Sequence, residues 1–342
     1  MRRPLRHALK MLSELSQGIR LAESDAPSQR QVIAFFGGVY SNYLALQALL
    51  EDAVRRGARC LYCLGDIGAF GPFPDRVCEI LRQTGIPVIQ GNYDNSVGSG
   101  LADCQCGYTD PRDNYFAKVS YDYTFRHTSS DNKVWLQKLP SQIRLQMGPY
   151  RVLLCHGSPR KTNEFLWEST TSDAFLNWLF EKFDTDVIIG THTGLYWHRE
   201  PSRGKHFINC GAIGRPPNDG ETTVVYSILS TGPVEQLSRA SCAADPMPGK
   251  VWPWVSAAEA CRPKVAAEAR AAARAERAGV RGESDAGGLS VDFVRLAYDY
   301  ERLASDMAAE QLSAEFIETI RTGWWTTCNE ILPAKERSRG IY

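Results

Sequence analysis

The chain has no run of about 18 apolar residues, the length that a membrane-crossing helix needs, so no transmembrane helix is expected. It has no surplus of charge. Lys plus Arg is 39 and Asp plus Glu is 39, so nothing asks for nucleic acid or an anionic membrane surface. No secretory leader is expected from the start of the sequence: MRRPLRHALKMLSEL is basic but has no apolar core and no small-residue cleavage site. A transit peptide is weakly supported, because Glu14 and Glu23 arrive early. A cytoplasmic protein is the expectation. Ten cysteines are many, but they are scattered, and Cys60, Cys63 and Cys155 lie inside apolar runs. Most of the ten read as reduced core thiols.

What is present is a chain of 342 residues with a hydrophobic fraction of 43%, enough for a real core in one large domain with additions, or in two. Residues 3–22 place Leu5, Leu9, Leu12, Leu15 and Ile19 on one stripe, so they read as an amphipathic surface helix. VIAFF at 32–36 is a strand, and a helix capped by Ser41 or Asn42 follows from about Tyr43 to Arg56. CLYCL at 60–64 is the next strand, then a helix over 75–83 and a strand over 87–90. This strand–helix repetition favours an α/β fold. The segment 96–131 is hard to place, and CQCGYTDPRDNYF reads as a long loop whose Cys104 and Cys106 could bind metal or form a disulfide. A short helix over 133–139 ends at Pro140. A hairpin over 143–147 and 151–155 turns at Gly148-Pro149. A helix over 172–183 and a strand over 186–189 follow. Strands over 206–209 and 223–229 read as an antiparallel layer. Residues 231–290 are Ala/Arg/Glu-rich in part and read as a surface insertion. VDFVRLAYDY at 291–300 reads as a strand rejoining the sheet, with helices near 300–310 and 313–321. The tail holds Trp324 and Trp325, which would be costly to expose, so it is expected to pack back.

Four apolar runs end in a glycine with a metal-capable residue beside it: LGDIGAFG, QGNYDN, LLCHGSP and VIIGTHTG. Strands with few polar positions suit a sheet covered on both faces, and open α/β folds place ligands at the carboxyl ends of such strands. Asp66, Asn92, His156 and His192 therefore form a mononuclear metal set of two imidazoles, a carboxylate and an amide oxygen. Iron, manganese or zinc would suit it, with positions open for water or substrate.

The ordered motifs GDIGAFGPFP, GNYDN, CHGSP, GTHTG and NCGAIGRP resemble the calcineurin-like metallophosphoesterase superfamily, most nearly its small bacterial phosphodiesterase-type branch. The resemblance covers roughly 31–230 and resumes at 291–323. It implies a four-layer α-β-β-α sandwich of two mixed β-sheets, flanked by an N-terminal extension over 1–30, interrupted by the 231–290 insertion and closed by 291–342. It also implies two metals and cleavage of phosphoesters. The motifs depart from the family. Where relatives have Asp-x-His-Gly-Asn, this chain has Gly38-Val39-Tyr40-Ser41-Asn42. Where they have Gly-Asn-His-Asp, it has Gly91-Asn92-Tyr93-Asp94. The last motif is aligned with His192 on the first histidine and Gly194 on the second; a shifted alignment would put Thr191 and Thr193 there instead.

On that alignment the losses fall on one metal position, which keeps only the bridging Asp66. The other keeps Asp66, Asn92, His156 and His192, which implies a single divalent ion. Tyr40 and Tyr93 would face the vacated position, either donating to a bound oxyanion, ligating a metal as phenolate, or merely filling volume. Asp94 is expected to orient its loop. Arg160, Lys161 and Arg215 could meet an anionic substrate. Cys155 is expected in the core. Cys210, where relatives usually have proline, and Cys328 could act as thiols if the tail covers the pocket. Three functions compete: a metal-dependent hydrolase of a phosphorylated or other anionic small molecule, a mononuclear iron enzyme with lyase or oxygen-dependent chemistry, and a catalytically silent binding protein. The N-terminal helix or the 231–290 insertion could serve a homo-oligomer or a protein partner.

Overall fold

Strand β1 (Gln31–Phe36) divides its side chains between two cores, and that division sets the layering. Ile33 and Phe35 face a second sheet, while Ala34 and Phe36 face helices. The chain is described by a computed structural model over residues 31–231 and 288–337. The expected helix at 3–22 and most of the 231–290 insertion lie outside these residues, as do the partner surfaces assigned to them.

In order, the elements after β1 are α1 (Tyr43–Arg55), β2 (Cys60–Cys63), α2 (Pro74–Thr84), α3 (Asn92–Ser99), α4 (Pro111–His127) and α5 (Ser130–Gln137). Then come β3 (Ile143–Met147), β4 (Tyr150–Leu154), α6 (Asp173–Phe183), β5 (Val187–Gly190), β6 (Tyr196–Ser202), β7 (Lys205–Cys210) and β8 (Val224–Thr231). After the gap come β9 (Leu289–Leu296), α7 (Tyr300–Ala309), α8 (Ala314–Thr322) and α9 (Ala334–Arg337). One sheet has the order β2-β1-β8-β9 and the other β3-β4-β5-β7-β6. Both mix parallel and antiparallel pairs. Leu64, Ile89, Val152, Leu154, Ile189, Ile208 and Leu229 fill the space between them. Helices α1–α3 cover the outer face of the first sheet, and α6 covers the second through Leu176, Leu179 and Phe180. The result is the four-layer α-β-β-α sandwich. Among the described residues no helix is long and apolar enough to cross a membrane.

Three expectations change. The strand at 87–90 shrinks to one parallel bridge, Cys63 with Val88, because Pro87 has no N–H and the Gln90 N–H turns away to the Pro140 carbonyl. The strands at 205–210 and 224–231 are not one antiparallel layer but belong to different sheets, so the loop between them crosses the sandwich. The segment read as a loop holds α4, which starts at Asp110, whose side chain accepts from the Arg112 and Asp113 N–H groups, with Pro111 in the first turn. Its buried face includes Ser120, Thr124 and Asp113 beside Phe116 and Tyr121, and those polar residues hid its period.

The tail packs back as its tryptophans require. Gly323, at φ +76°, ends α8 where a Cβ would lie 2.5 Å from the Glu221 carbonyl oxygen. Trp325 is buried, its Nε1 donating to the Pro216 carbonyl (2.6 Å) and its N–H to Asn218 (2.8 Å). Further along, the Ile331 N–H donates to Asp113 (2.9 Å) and the Ser169 N–H to Glu336 (2.9 Å).

Three neighbouring strands meet at Asp186. Its carboxylate accepts from Arg151 on β4 (2.9 Å) and from Lys205 on β7 (2.9 Å). Those hydrogen bonds, Arg151 first, hold the acid below the ordinary carboxylate range. A depressed folded pKa stabilises above the unfolded value and is lost as pH falls through the folded one. Asp186→Asn should therefore cost about 1 kcal/mol at pH 7, and the gap from wild type should narrow as pH falls below about 4. Urea unfolding across that pH range checks it; a gap that widens in acid would refute it.

Candidate metal centre

Each candidate ligand sits just past a strand or at a helix start, where backbone groups can fix it. Leu64 and Gly65 follow β2 and bring Asp66 against the 89–91 turn. Gly65 is needed there: φ is +86°, and a Cβ would lie 2.4 Å from the Gly91 nitrogen. Asp66 and His192 adopt positive φ, 53° and 65°. Non-glycine residues so held cost about 1–3 kcal/mol each and cluster at functional sites. Asn92 opens α3, and the next N–H, of Tyr93, donates to Asp66 Oδ1 (3.1 Å).

Asp66, His156 and His192 bring one potential ligand atom each to within 4.8 Å of one another, and all three are buried. The His156 Nδ1 lies 2.6 Å from the Leu64 carbonyl, which can only accept, so that nitrogen carries a proton and Nε2 is the one turned to the other candidate ligands. That Nε2 faces Asp66 Oδ2 at 3.2 Å and His192 Nδ1 at 3.2 Å. A carbonyl behind a histidine is the usual support of a metal-ligating ring. Asn92 turns its NH2 to the Cys104 carbonyl (2.9 Å) and Cys106 Sγ (3.4 Å), leaving Oδ1 buried without a hydrogen-bond partner. A buried acceptor left bare in this way is costly, and a cation would satisfy it. The donor set therefore fits a divalent ion.

Electrostatics agree. Burial works to raise the Asp66 carboxyl, but the charge and hydrogen bond of His156, then His192, hold it below the ordinary value. Burial works against a charged His156, yet Asp66 and the Leu64 carbonyl raise it. Burial, then His156, push His192 down to about 3, so its ring is neutral and free to donate a lone pair. Asp94 is pushed up to about 6 by burial and then by Asp66. Its carboxylate accepts from the N–H groups of Asp66 (2.8 Å), Ile67 (2.9 Å) and Gly91 (2.8 Å), so it orients the loops.

The other sequence candidates scatter. Tyr40 (φ +47°) lies near Asp66 and Arg215, and burial drives its phenol well above the usual value, so it remains a protonated donor. The Tyr93 hydroxyl instead donates into α4, to Ala117 O (3.2 Å) with Ser120 Oγ at 3.0 Å, and only its backbone serves Asp66. Arg215 is 6% exposed, and its Nε has no hydrogen-bond partner. Its guanidinium lies 3.4 Å from the Trp325 ring centroid, with Phe70 and Tyr40 at 5.1 and 5.8 Å. It borders a shallow, partly open crevice lined by Phe70, Gly214, Leu303, Met307 and Phe316. Arg160 pairs with Glu164 over α6 and does not enter the site. Lys161 is near enough to act on the His192 charge. Cys155 packs in the core under α6, and Cys210 lies between the sheets. Cys328 approaches the Asp113 carbonyl, and burial raises its thiol to about 11. Sequence reasoning missed Phe165, which packs on His192 (4.3 Å between centroids), and the Asn92 contacts of the Cys-x-Cys loop. Only the need to cover Trp325 hinted at the Arg215 stack.

Comparison with known proteins gives a consistent fold. The family description "calcineurin-like phosphoesterase superfamily domain" matches residues 33–231. An uncharacterized protein of Methanocaldococcus jannaschii is 26% identical over 217 residues, 58% of this chain and 83% of the relative. The crystal structure of a metallophosphoesterase from Sphaerobacter thermophilus aligns with TM-score 0.54 at 20% identity, covering 86% of this chain and all (100%) of that one. A hypothetical protein from Pyrococcus horikoshii OT3 aligns with TM-score 0.59 at 17% identity, covering 86% of this chain and 99% of that one.

Asp94→Ala leaves three buried N–H groups without their acceptor. It should destabilise by about 3 kcal/mol, with Asp94→Asn less damaging because one oxygen remains. Chemical denaturation of the two variants measures this; equal and negligible losses would show that the loops are held otherwise.

Proposed function

The chain belongs to the calcineurin-like phosphoesterase superfamily, and on that premise we propose that it is a metal-dependent hydrolase of a phosphorylated or other anionic small molecule. We assign it one divalent ion, held by Asp66, Asn92, His156 and His192. The observation that carries this reading is the convergence of Asp66, His156 and His192, with Asn92 next to the Tyr93 N–H that donates to Asp66 and its own Oδ1 buried without a partner.

The single-ion form of the reading rests on what replaces the second ligand group. Gly38 has no side chain to offer, and Tyr40 puts a protonated phenol where a histidine stands in relatives. The ion would supply Lewis acidity and activate water at neutral pH. The chain's own groups do the rest. Arg215 is a buried cation whose charge no carboxylate of the described residues is seen to balance. Trp325 stacks on its face, which leaves the in-plane N–H groups for an oxyanion. Tyr40 can donate a further hydrogen bond to the same anion. Tyr93 is left out of the chemistry, because its hydroxyl is already engaged with α4.

Metal content tests the reading. Protein purified without oxygen and without added metal should carry about one equivalent of iron, manganese or zinc. His156→Ala and His192→Ala should each lose it. Two tightly held equivalents would overturn the single-ion form. No metal in any preparation, with folded variants, would leave a binding protein. Redox-active iron without phosphoester hydrolysis would favour lyase or oxygen-dependent chemistry. Arg215→Met should lower kcat/KM on an anionic substrate by about 100-fold with metal content intact.

A further inference from the structure

The Cys-x-Cys loop between α3 and α4 makes a contact that the proposed function does not use. Cys104 and Cys106 are joined by a disulfide. Both are buried, while Asp103, Gln105 and Gly107 around them are exposed, so the pair lies just under the surface. The other described cysteines, Cys60, Cys63, Cys78, Cys155, Cys210 and Cys328, are free thiols, so this region of the chain is not a disulfide scaffold. A bridge between residues two apart closes almost no chain, so it can do little for global stability. Its effect must be local.

What is local is Asn92. Both hydrogen bonds from its NH2 group go to this loop, to the Cys104 carbonyl and to Cys106 Sγ. Those bonds decide which end of the amide faces the loop, and so leave Oδ1 bare on the other side. The loop is held from outside as well. Asn163 donates to the Gln105 carbonyl (2.7 Å), and Gln105 itself is held at φ +51° between the two sulfurs. Tyr108 then stacks on Phe165, the ring that packs against His192. One short loop thus touches the surroundings of two ligands.

We propose that Cys104 and Cys106 are a reversible thiol–disulfide modification site whose oxidised form holds Asn92 in its metal-binding orientation, so that the redox state of the pair sets metal affinity. The proposal rests on the single-ion reading. In thiol–disulfide exchange a dithiol donor gives two electrons and two protons. The Cys104–Cys106 bond breaks, both sulfurs become thiols, and the donor closes its own disulfide. The freed loop no longer fixes the Asn92 amide. Groups that orient a metal ligand are worth about 10–100-fold in affinity.

The test compares the metal affinity of the whole chain, purified without thiols, before and after a phosphine reductant. The phosphine becomes its oxide with oxygen from water, and both sulfurs leave as thiols without a chelating dithiol in solution. Competition with a chromophoric chelator should show affinity for manganese or zinc falling about 10-fold as two thiols appear. Cys104→Ser/Cys106→Ser should show the lower affinity with or without phosphine, and circular dichroism reports whether it is folded. The wild-type comparison stands alone if that variant is not. Affinity that is unchanged or higher after two thiols appear overturns the inference alone. So does a denatured thiol count that phosphine does not raise. Oxidised wild type that binds no metal overturns the single-ion reading, and this inference with it.

Discussion

The carboxylate of Asp94 is the constraint on which the site depends. It gathers N–H groups from two loops that leave different parts of the first sheet, and in doing so it seats Asp66 against the 89–91 turn. Nothing larger could replace Gly65 or Gly91 at that junction, since a Cβ on either would meet the other loop at 2.5 Å or less. The carboxylate itself never needs to touch an ion. Its task is to make two strained loops cheaper to hold together than apart, which is how backbone strain survives at functional sites. Burial raises its pKa against that task, so the bonds to the amides have a desolvation cost to overcome.

Around that junction the molecule combines two costly features that make sense together. A bare amide oxygen at Asn92 and an Arg215 guanidinium whose Nε has no hydrogen-bond partner are each costly to bury. One invites a cation and the other an anion. Aromatic rings lie beside each, Phe165 against the neighbouring ligand His192 and Trp325 against Arg215. In such surroundings a charge placed near the ligands is felt more strongly than at the surface.

Much of this could be read from the chain. The glycine-ended apolar runs marked Asp66, His156 and His192, whose potential ligand atoms the fold brings together, because strand ends and tight turns have strong local signatures. The split of β7 and β8 between sheets could not be read, because both are apolar strands and only the loop that crosses the sandwich tells them apart. Helix α4 was hidden by hydroxyl residues on its buried face, whose partners come from other segments: Ser120 Oγ accepts from the Phe70 N–H and meets the Tyr93 hydroxyl. The direction of the Tyr93 side chain depends on that helix, so a residue that looked catalytic by position is spoken for by packing. Arg215 could be read as a cation near the site, but its stack on Trp325 joins positions 110 residues apart and has no local signature.

The edge of the first sheet has a consequence of another kind. Strands β8 and β9 are antiparallel, and Thr231, the last residue of one, is the register partner of Leu289, the first of the other. The chain therefore leaves and re-enters the sheet at a single spot, about 5 Å across. A two-residue hairpin turn would satisfy the same geometry. The closure entropy of a connection grows only with the logarithm of its length, so lengthening or shortening this one leaves the rest of the fold almost indifferent. That edge is a port where natural history can try new cargo without renegotiating the core, and the strand beyond it, β9, returns to register whatever the excursion carries.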